Sequence, residues 1–330
     1  MLLDPDTPDT SNTDARQAAA TRRGLIGSVL LIGWEPSQRR VMSRTNRPTG
    51  ANDANRTDAG GVGKAIVLGL VIGTVLLGGW LLLRPRPLAA WQIRQQLFEE
   101  LQPIALKNCT LERFGARNDG GYLICANLLG NVQSAYSYGI AGDDSWGCDV
   151  SKRANVPVHQ YDCFDNTRPV CDGGRFDFKD ECVGPRAATI DNRVYDSVAN
   201  QIQKNGDAGR TLIVKMDVEG AELDSLMTTS DDVLDRFDQL IMELHRTDQE
   251  FLDLVRKLKR TFHVVHLHYN NSRCSAQWKP FPSNVYEVSF VNKRIGVPDP
   301  DKPAPTLPNP LDAQNSTFRP DCQTPLPVGP

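Results

Sequence analysis

The chain has 330 residues, 40% of them hydrophobic and 23% charged, enough apolar material for one large domain or two small ones and too much for wholesale disorder. Its formal net charge of -3 gives no global electrostatic reason to bind nucleic acid, and no nucleic-acid partner is expected.

Residues 1–60 are rich in Asp, Thr, Asn, Arg and Ala without a sustained apolar period, and are expected to form a disordered tail. The apolar run at 24–34 is too short to span a bilayer and is followed by Glu35 and Pro36. Residues 65–83, AIVLGLVIGTVLLGGWLLL, are uncharged throughout and close to the ~20 residues that a membrane-spanning helix needs. Lys64 precedes the run, Arg84 and Arg86 follow it, and Trp80 suits the headgroup level, so 61–86 is expected to be a retained single-pass anchor.

Flanking charge does not orient the anchor, because Arg47, Arg56 and Lys64 on one side match Arg84, Arg86 and Arg94 on the other. All eight cysteines lie after it, which predicts a type II protein with a cytosolic tail and a luminal, disulfide-bonded domain in the Golgi or endoplasmic reticulum. The sequons at Asn108, Asn270 and Asn315 lie on the same side and predict a glycoprotein, although Asn55 begins a sequon on the other.

Residues 87–107 repeat apolar side chains at Ile93, Leu97, Leu101 and Ile104, the pattern of a stem or lead-in helix. The working domain is expected over 108–295. DGGY at 119–122 reads as a tight turn entering a strand. SAYSYGI, VPVHQYD and RFDFKDECV read as three strands, and LIVKM at 212–216 and DQLIMELH at 238–245 as a fourth and fifth. Between the third and fourth, Ile190, Val194, Val198 and Ile202 fall at i+4 spacing before Gly206 and predict one amphipathic helix. Phe251, Val255, Leu258 and Phe262 stripe another, before HVVHLH and VYEVSFV as a final strand pair able to form a hairpin. Alternation of this kind predicts an α/β fold with a mainly parallel sheet covered on both faces. Residues 296–330 hold ten of the 22 prolines and are expected to be a tail without helix or sheet.

In open α/β sheets, ligands bind beyond the carboxyl ends of the strands. Acids stand at three such ends here: Asp162 after the second strand, Asp217 after the fourth, and Glu243 with His245 at the fifth. Asp162 follows Gly142 by some twenty residues, the spacing at which an acid meets a nucleoside ribose. Gly139 and Gly142 stand in a G-x-x-G arrangement, which favours a ligand without phosphates, such as an adenosyl sulfonium. His245, His263, His266 and His268 supply bases or metal ligands; His245 and His268, at predicted strand ends, are expected near Asp217, where a base can take a proton from an attacking hydroxyl. They are read as bases, and no metal site is expected.

MDVEGAE at 216–222 resembles the DVEGxE motif of FkbM-type methyltransferases. With LERFGARNDGGYLIC at 111–125, SYGIAGDDSW at 137–146, HLHYNN at 266–271 and VYEVSFV at 285–291, the chain is similar to a methyltransferase-like family of membrane-anchored proteins allied to that group. The resemblance covers about 105–292. It implies a Rossmann-like sheet of seven strands that binds S-adenosyl-L-methionine. It places Gly139, Gly142 and Asp143 in the cofactor loop, Asp162 in the ribose-acid position, and Asp217 and Glu219 near the transferred methyl. Where relatives carry an acid just after the SW or SF pair, this chain has Gly147, with Asp149 two residues on. The expected activity is O-methylation of a secretory-pathway substrate such as a glycan. A type II glycosyltransferase is the alternative, although DCFD at 162–165 does not supply its D-x-D motif; a catalytically inactive binding protein on the same fold is another.

Overall fold

Five short strands, parallel to one another, build the middle of the molecule. The computed structural model describes residues 88–322. The expected tail at 1–60, the expected anchor at 61–86 and residues 323–330 lie outside the described residues. Among the described residues no helix is long and apolar enough to cross a membrane.

In chain order, helix α1 (Ala90–Glu100) precedes a hairpin, β1 (Leu111–Gly115) and β2 (Gly121–Cys125). Then come β3 (Ser134–Tyr138), α2 (Ser145–Ala154), β4 (Pro157–Tyr161) and β5 (Arg175–Lys179). A small sheet follows from β6 (Cys182–Val183), β7 (Ala188–Ile190) and β8 (Arg193–Asp196), then α3 (Val198–Lys204) and β9 (Leu212–Met216). After α4 (Glu222–Thr228) and α5 (Asp231–Leu234), the chain forms β10 (Phe237–Leu244), α6 (Gln249–Thr261), β11 (Phe262–Tyr269) and β12 (Tyr286–Asn292).

Seven strands make the main sheet in the order β11-β12-β10-β9-β3-β4-β5. Strands β3, β4, β5, β9 and β10 run parallel, and β12 is antiparallel to both neighbours. Counted within the sheet and read from β5, the order is 3-2-1-4-5-7-6. That is the doubly wound Rossmann pattern with an antiparallel strand set between the fifth and sixth positions. The order reverses between β3 and β9, and ligands of such sheets sit outside the carboxyl ends at that place.

Both faces of the sheet are covered, and its inner strands are buried along their length, polar members such as Ser137, Gln160 and Lys215 included. On one face, Val214, Met216 and Met242 pack with Leu97 of α1, Ile202 of α3, Leu226 of α4 and Val255 of α6. On the other, Ala135, Ile213 and Ile241 meet Tyr122 and Ile124 of β2 and Trp146 and Val150 of α2. Burial of each large apolar side chain contributes about 1.5–3 kcal/mol.

The single helix expected across Ile190, Val194, Val198 and Ile202 is two elements. Asp191 and Asn192 both have positive φ, 49° and 61°. Two consecutive left-handed residues make a type I′ turn, so Ile190 pairs with Arg193 in a hairpin, and Ile190 and Val194 face solvent. The helix begins only after Ser197, whose Oγ accepts from Asn200 N at 3.3 Å.

The folded unit is also wider than 108–295. Leu97 and Leu101 are buried, and Glu100 pairs with Lys259 at 2.7 Å, which fixes the lead-in helix on α6. Residues 296–322 carry no helix or strand, as their prolines dictate, yet they are tied to the sheet by the Cys274–Cys322 disulfide and by buried Asn315. The other bridges are Cys109–Cys125, Cys148–Cys171 and Cys163–Cys182, so all eight cysteines are paired. Two expected glycan sites are corrected: Asn270 and Asn315 are buried and donate to Glu243 and Glu287, leaving a sugar no room.

Candidate functional site

Strand β9 ends at Met216 and delivers Asp217 to the rim; β10 ends at Leu244 and delivers Glu243 and His245 beside it. The register sets this arrangement, because Met216 pairs with Met242 across the parallel ladder. Asp217 Oδ1 lies 3.9 Å from His245 Nε2, and Glu243 Oε1 lies 3.1 Å from the same nitrogen. Glu219 Oε2 approaches it to 3.5 Å from the solvent side.

The outer atoms of this group are held by other residues. Tyr122 OH donates to Asp217 Oδ2 at 3.1 Å, and Asn270 Nδ2 donates to Glu243 Oε2 at 3.3 Å. His245 Nδ1 lies 3.3 Å from Glu222 Oε1, an electrostatic contact without the alignment of a hydrogen bond. Glu222 is fully buried, accepts from Val218 N at 3.1 Å through Oε1, and has no partner for Oε2 among the described residues.

Four carboxylates thus face one imidazole, and protonation follows from that crowding. Burial, then the Asp217 charge, pushes Glu243 up to about 8. Burial works to lower His245, but Glu222 and Glu243 outweigh it and hold the ring well above the usual imidazole range. Burial, reinforced by Asp217, also raises the Tyr122 phenol, which keeps it a hydrogen-bond donor.

Across the switch point, Gly139 has φ +70°, and a Cβ there would fall 1.7 Å from the carbonyl oxygen of Asp217. Its glycine identity thus serves the close approach of the two rim loops. Lys215 Nζ donates to Gly139 O at 2.8 Å and braces the same loop from below. Two residues with side chains are held left-handed on this rim, Ala141 (φ 46°) and Glu219 (φ 55°). Strain of about 1–3 kcal/mol at such residues gathers at binding and catalytic sites.

The sequence brings Asp162 to this rim but misjudges its work. One carboxylate oxygen accepts from Ile140 N and Ala141 N, and the other from Phe164 N and Asp165 N, at 2.8–3.1 Å. Its four acceptor positions are filled by backbone, so it staples the β3 loop to the β4 loop and offers nothing to a ribose. Gly142 (φ +80°) lies beside the Asp165 carboxylate. Asp143 is exposed and its Oδ2 accepts only a long bond from Ser145 N, while Asp144 caps α2 by accepting from Gly147 N at 2.8 Å. A Cβ on Gly147 would fall 2.2 Å from Asp144 Oδ2, so this capping arrangement has no room for a larger residue there. Asp149 instead accepts from Gly115 N at 2.8 Å.

His268 does not join Asp217. Strand β12 separates β10 from β11, and His268 pairs with Glu287 across the ladder, Nδ1 to Oε2 at 3.2 Å. His266 pairs with Asp312 at 2.7 Å. Tyr122, Glu222 and Asn270 are members that the sequence reading did not select; Glu222 stood in view inside the acidic motif.

No family model matches the chain, and no curated protein sequence matches it.

Proposed function

We propose that the protein is an S-adenosyl-L-methionine-dependent methyltransferase acting on a hydroxyl of a secretory-pathway acceptor such as a glycan. The observation that carries this reading is the 3-2-1-4-5-7-6 sheet with Asp217, Glu243 and His245 gathered at the carboxyl ends beside its switch point. The seven-stranded sheet agrees with what the resemblance to FkbM-type methyltransferases implies. Four disulfides support a domain in an oxidising lumen, behind a type II anchor at 61–86.

When bound, the cofactor supplies an electrophilic methyl group. The rim fits such a ligand with one substitution of roles. Glu219, with 59% of its side chain exposed, meets the ammonium of the amino-acid tail. Since Asp162 is saturated, Asp165 is the acid left for the ribose hydroxyls; its Oδ1 accepts from Thr167 N at 2.9 Å and its Oδ2 lies beside Gly142. Asp217, oriented by Tyr122, and His245 beside it stand where the acceptor hydroxyl would be held and its proton taken up.

A binding protein on the same fold is the second reading, favoured by the full engagement of Asp162 with backbone. Calorimetric titration of the full chain with S-adenosylhomocysteine separates the two. The enzyme reading predicts saturable one-to-one binding, weakened by about 1–3 kcal/mol in Asp165→Ala as polar ligand groups lose a partner. Absence of saturable binding contradicts it.

A further inference from the structure

The geometry points to a divalent transition-metal site formed by Asp217 Oδ1, Glu243 Oε1 and His245 Nε2, suited to Mn2+ or Zn2+. One potential ligand atom from each of the three residues lies within 4.8 Å of the others. Around an ion with bonds of about 2.1 Å, ligand atoms at right angles stand about 3.0 Å apart and opposed ones about 4.2 Å. The imidazole nitrogen lies 3.1 Å from the Glu243 oxygen and 3.9 Å from the Asp217 oxygen, inside that range before any adjustment.

The surroundings of the three residues are those of a metal centre. Ligating side chains are held by outer partners that fix which atom faces the ion. Tyr122 holds the far oxygen of Asp217, Asn270 the far oxygen of Glu243, and Glu222 faces the far nitrogen of His245. The three remaining atoms converge. A carboxylate behind a histidine is a recurrent outer partner in zinc sites, where it sets the tautomer and raises ligand basicity.

A second, separate observation comes from Glu222. It is fully buried, its Oε2 has no partner among the described residues, and its Oε1 faces the imidazole. Buried carboxylates are costly unless paired or near a cation. Asp217, Glu219, Glu222 and Glu243 all place a carboxyl oxygen within 4.0 Å of His245, so oxygen donors crowd one imidazole from several sides. The imidazole favours Zn2+ over Ca2+ or Mg2+, and the two carboxylates also admit Mn2+. Three protein ligands leave the remaining positions to water or an acceptor oxygen.

This site stands on ligand geometry and not on methyl transfer, so it is tested by binding alone. The full chain, stripped with chelator, is titrated with Mn2+ while the free-ion electron paramagnetic resonance signal is followed. The expected result is one site per chain, with nitrogen modulation in the pulsed spectrum that is lost in His245→Gln. Glu243→Gln and Asp217→Asn should each weaken binding at least tenfold, and Glu222→Gln, a positioning change, about 10- to 100-fold. Zn2+ should displace the Mn2+ stoichiometrically. Failure of the wild-type chain to bind Mn2+ up to about 1 mM, a concentration far above useful affinity, overturns the proposal. So does undiminished binding in a folded Asp217→Asn/Glu243→Gln double variant.

Discussion

Two groups of acids and histidines stand on adjacent strands at the same end of the sheet, and they are finished differently. Glu243 on β10 is the ladder partner of Glu287 on β12, which is in turn the partner of His268 on β11. In the outer group the charged atoms face one another: Glu287 Oε2 meets His268, Glu287 Oε1 accepts from Asn315 at 2.6 Å, and Asp312 takes His266. In the inner group the outer atoms are held, while Asp217 Oδ1 and Glu243 Oε1 both face His245 Nε2. The same residue types on the same rim thus close on one another in one place and face a shared imidazole nitrogen in the other. The partners of the second atom, more than the residue type, distinguish the two. The segment 296–322 supplies those partners to the outer group alone, through Asp312 and Asn315.

The largest effect should come from opening the closed group. Glu287→Ala leaves His268 and Asn315 buried without their acceptor and should cost about 3–5 kcal/mol in denaturant unfolding. If Glu287 were a spare rim acid, the loss would stay below about 1 kcal/mol. Next, Asp217→Asn should leave the unfolding midpoint near wild type but lower methyl transfer roughly 10²-fold, equivalent to about 2.7 kcal/mol of barrier. Unfolding of the domain by this change would move Asp217 into the structural class. Asp162→Ala should remove a staple of four backbone donors and cost about 1–3 kcal/mol, with faster amide exchange at Ile140, Ala141, Phe164 and Asp165. Slow exchange at all four amides in that variant would count against the role.

A smaller effect concerns pH. Burial works to lower His268, but Glu287, Asp312 and Asp321 outweigh it and raise the ring to about 9. The folded value lies above the unfolded one of about 6.5, so this pair's stabilisation is complete below about pH 6.5 and is lost as pH rises through about 9. Stability measured from pH 6.5 to 9.5 should decline, and Glu287→Gln should make the decline smaller by on the order of 1–2 kcal/mol. An unchanged slope in that variant would assign the titration to another group.

The parallel core was legible because strands buried on both faces, such as Leu212–Met216 and Phe237–Leu244, carry short apolar centres, LIV and LIM. The acids that end them were legible as a rim. The hairpin at 188–196 was not, because Ile190, Val194, Val198 and Ile202 coincide with helical spacing while the turn signal Asp191-Asn192 spans only two residues. The insertion of β12 between β10 and β11 is a long-range pairing without a local signature, and it moved His268 away from Asp217. The partners of Asp162 are backbone amides, which every residue but proline carries and no sequence pattern marks. Asn270 matched a sequon, and only its burial beside Glu243 reveals it as an outer partner of the site.

The most direct test maps where the methyl donor lies. Ultraviolet cross-linking of labelled S-adenosyl-L-methionine to the full chain, followed by peptide mapping, should place the label on the loops after β3, β4 and β9, within 139–145, 162–167 or 217–222. Competition by S-adenosylhomocysteine should remove it. Label confined to β11, β12 or the segment 296–322, or no competable label at all, would contradict the assignment of chemistry to the open group.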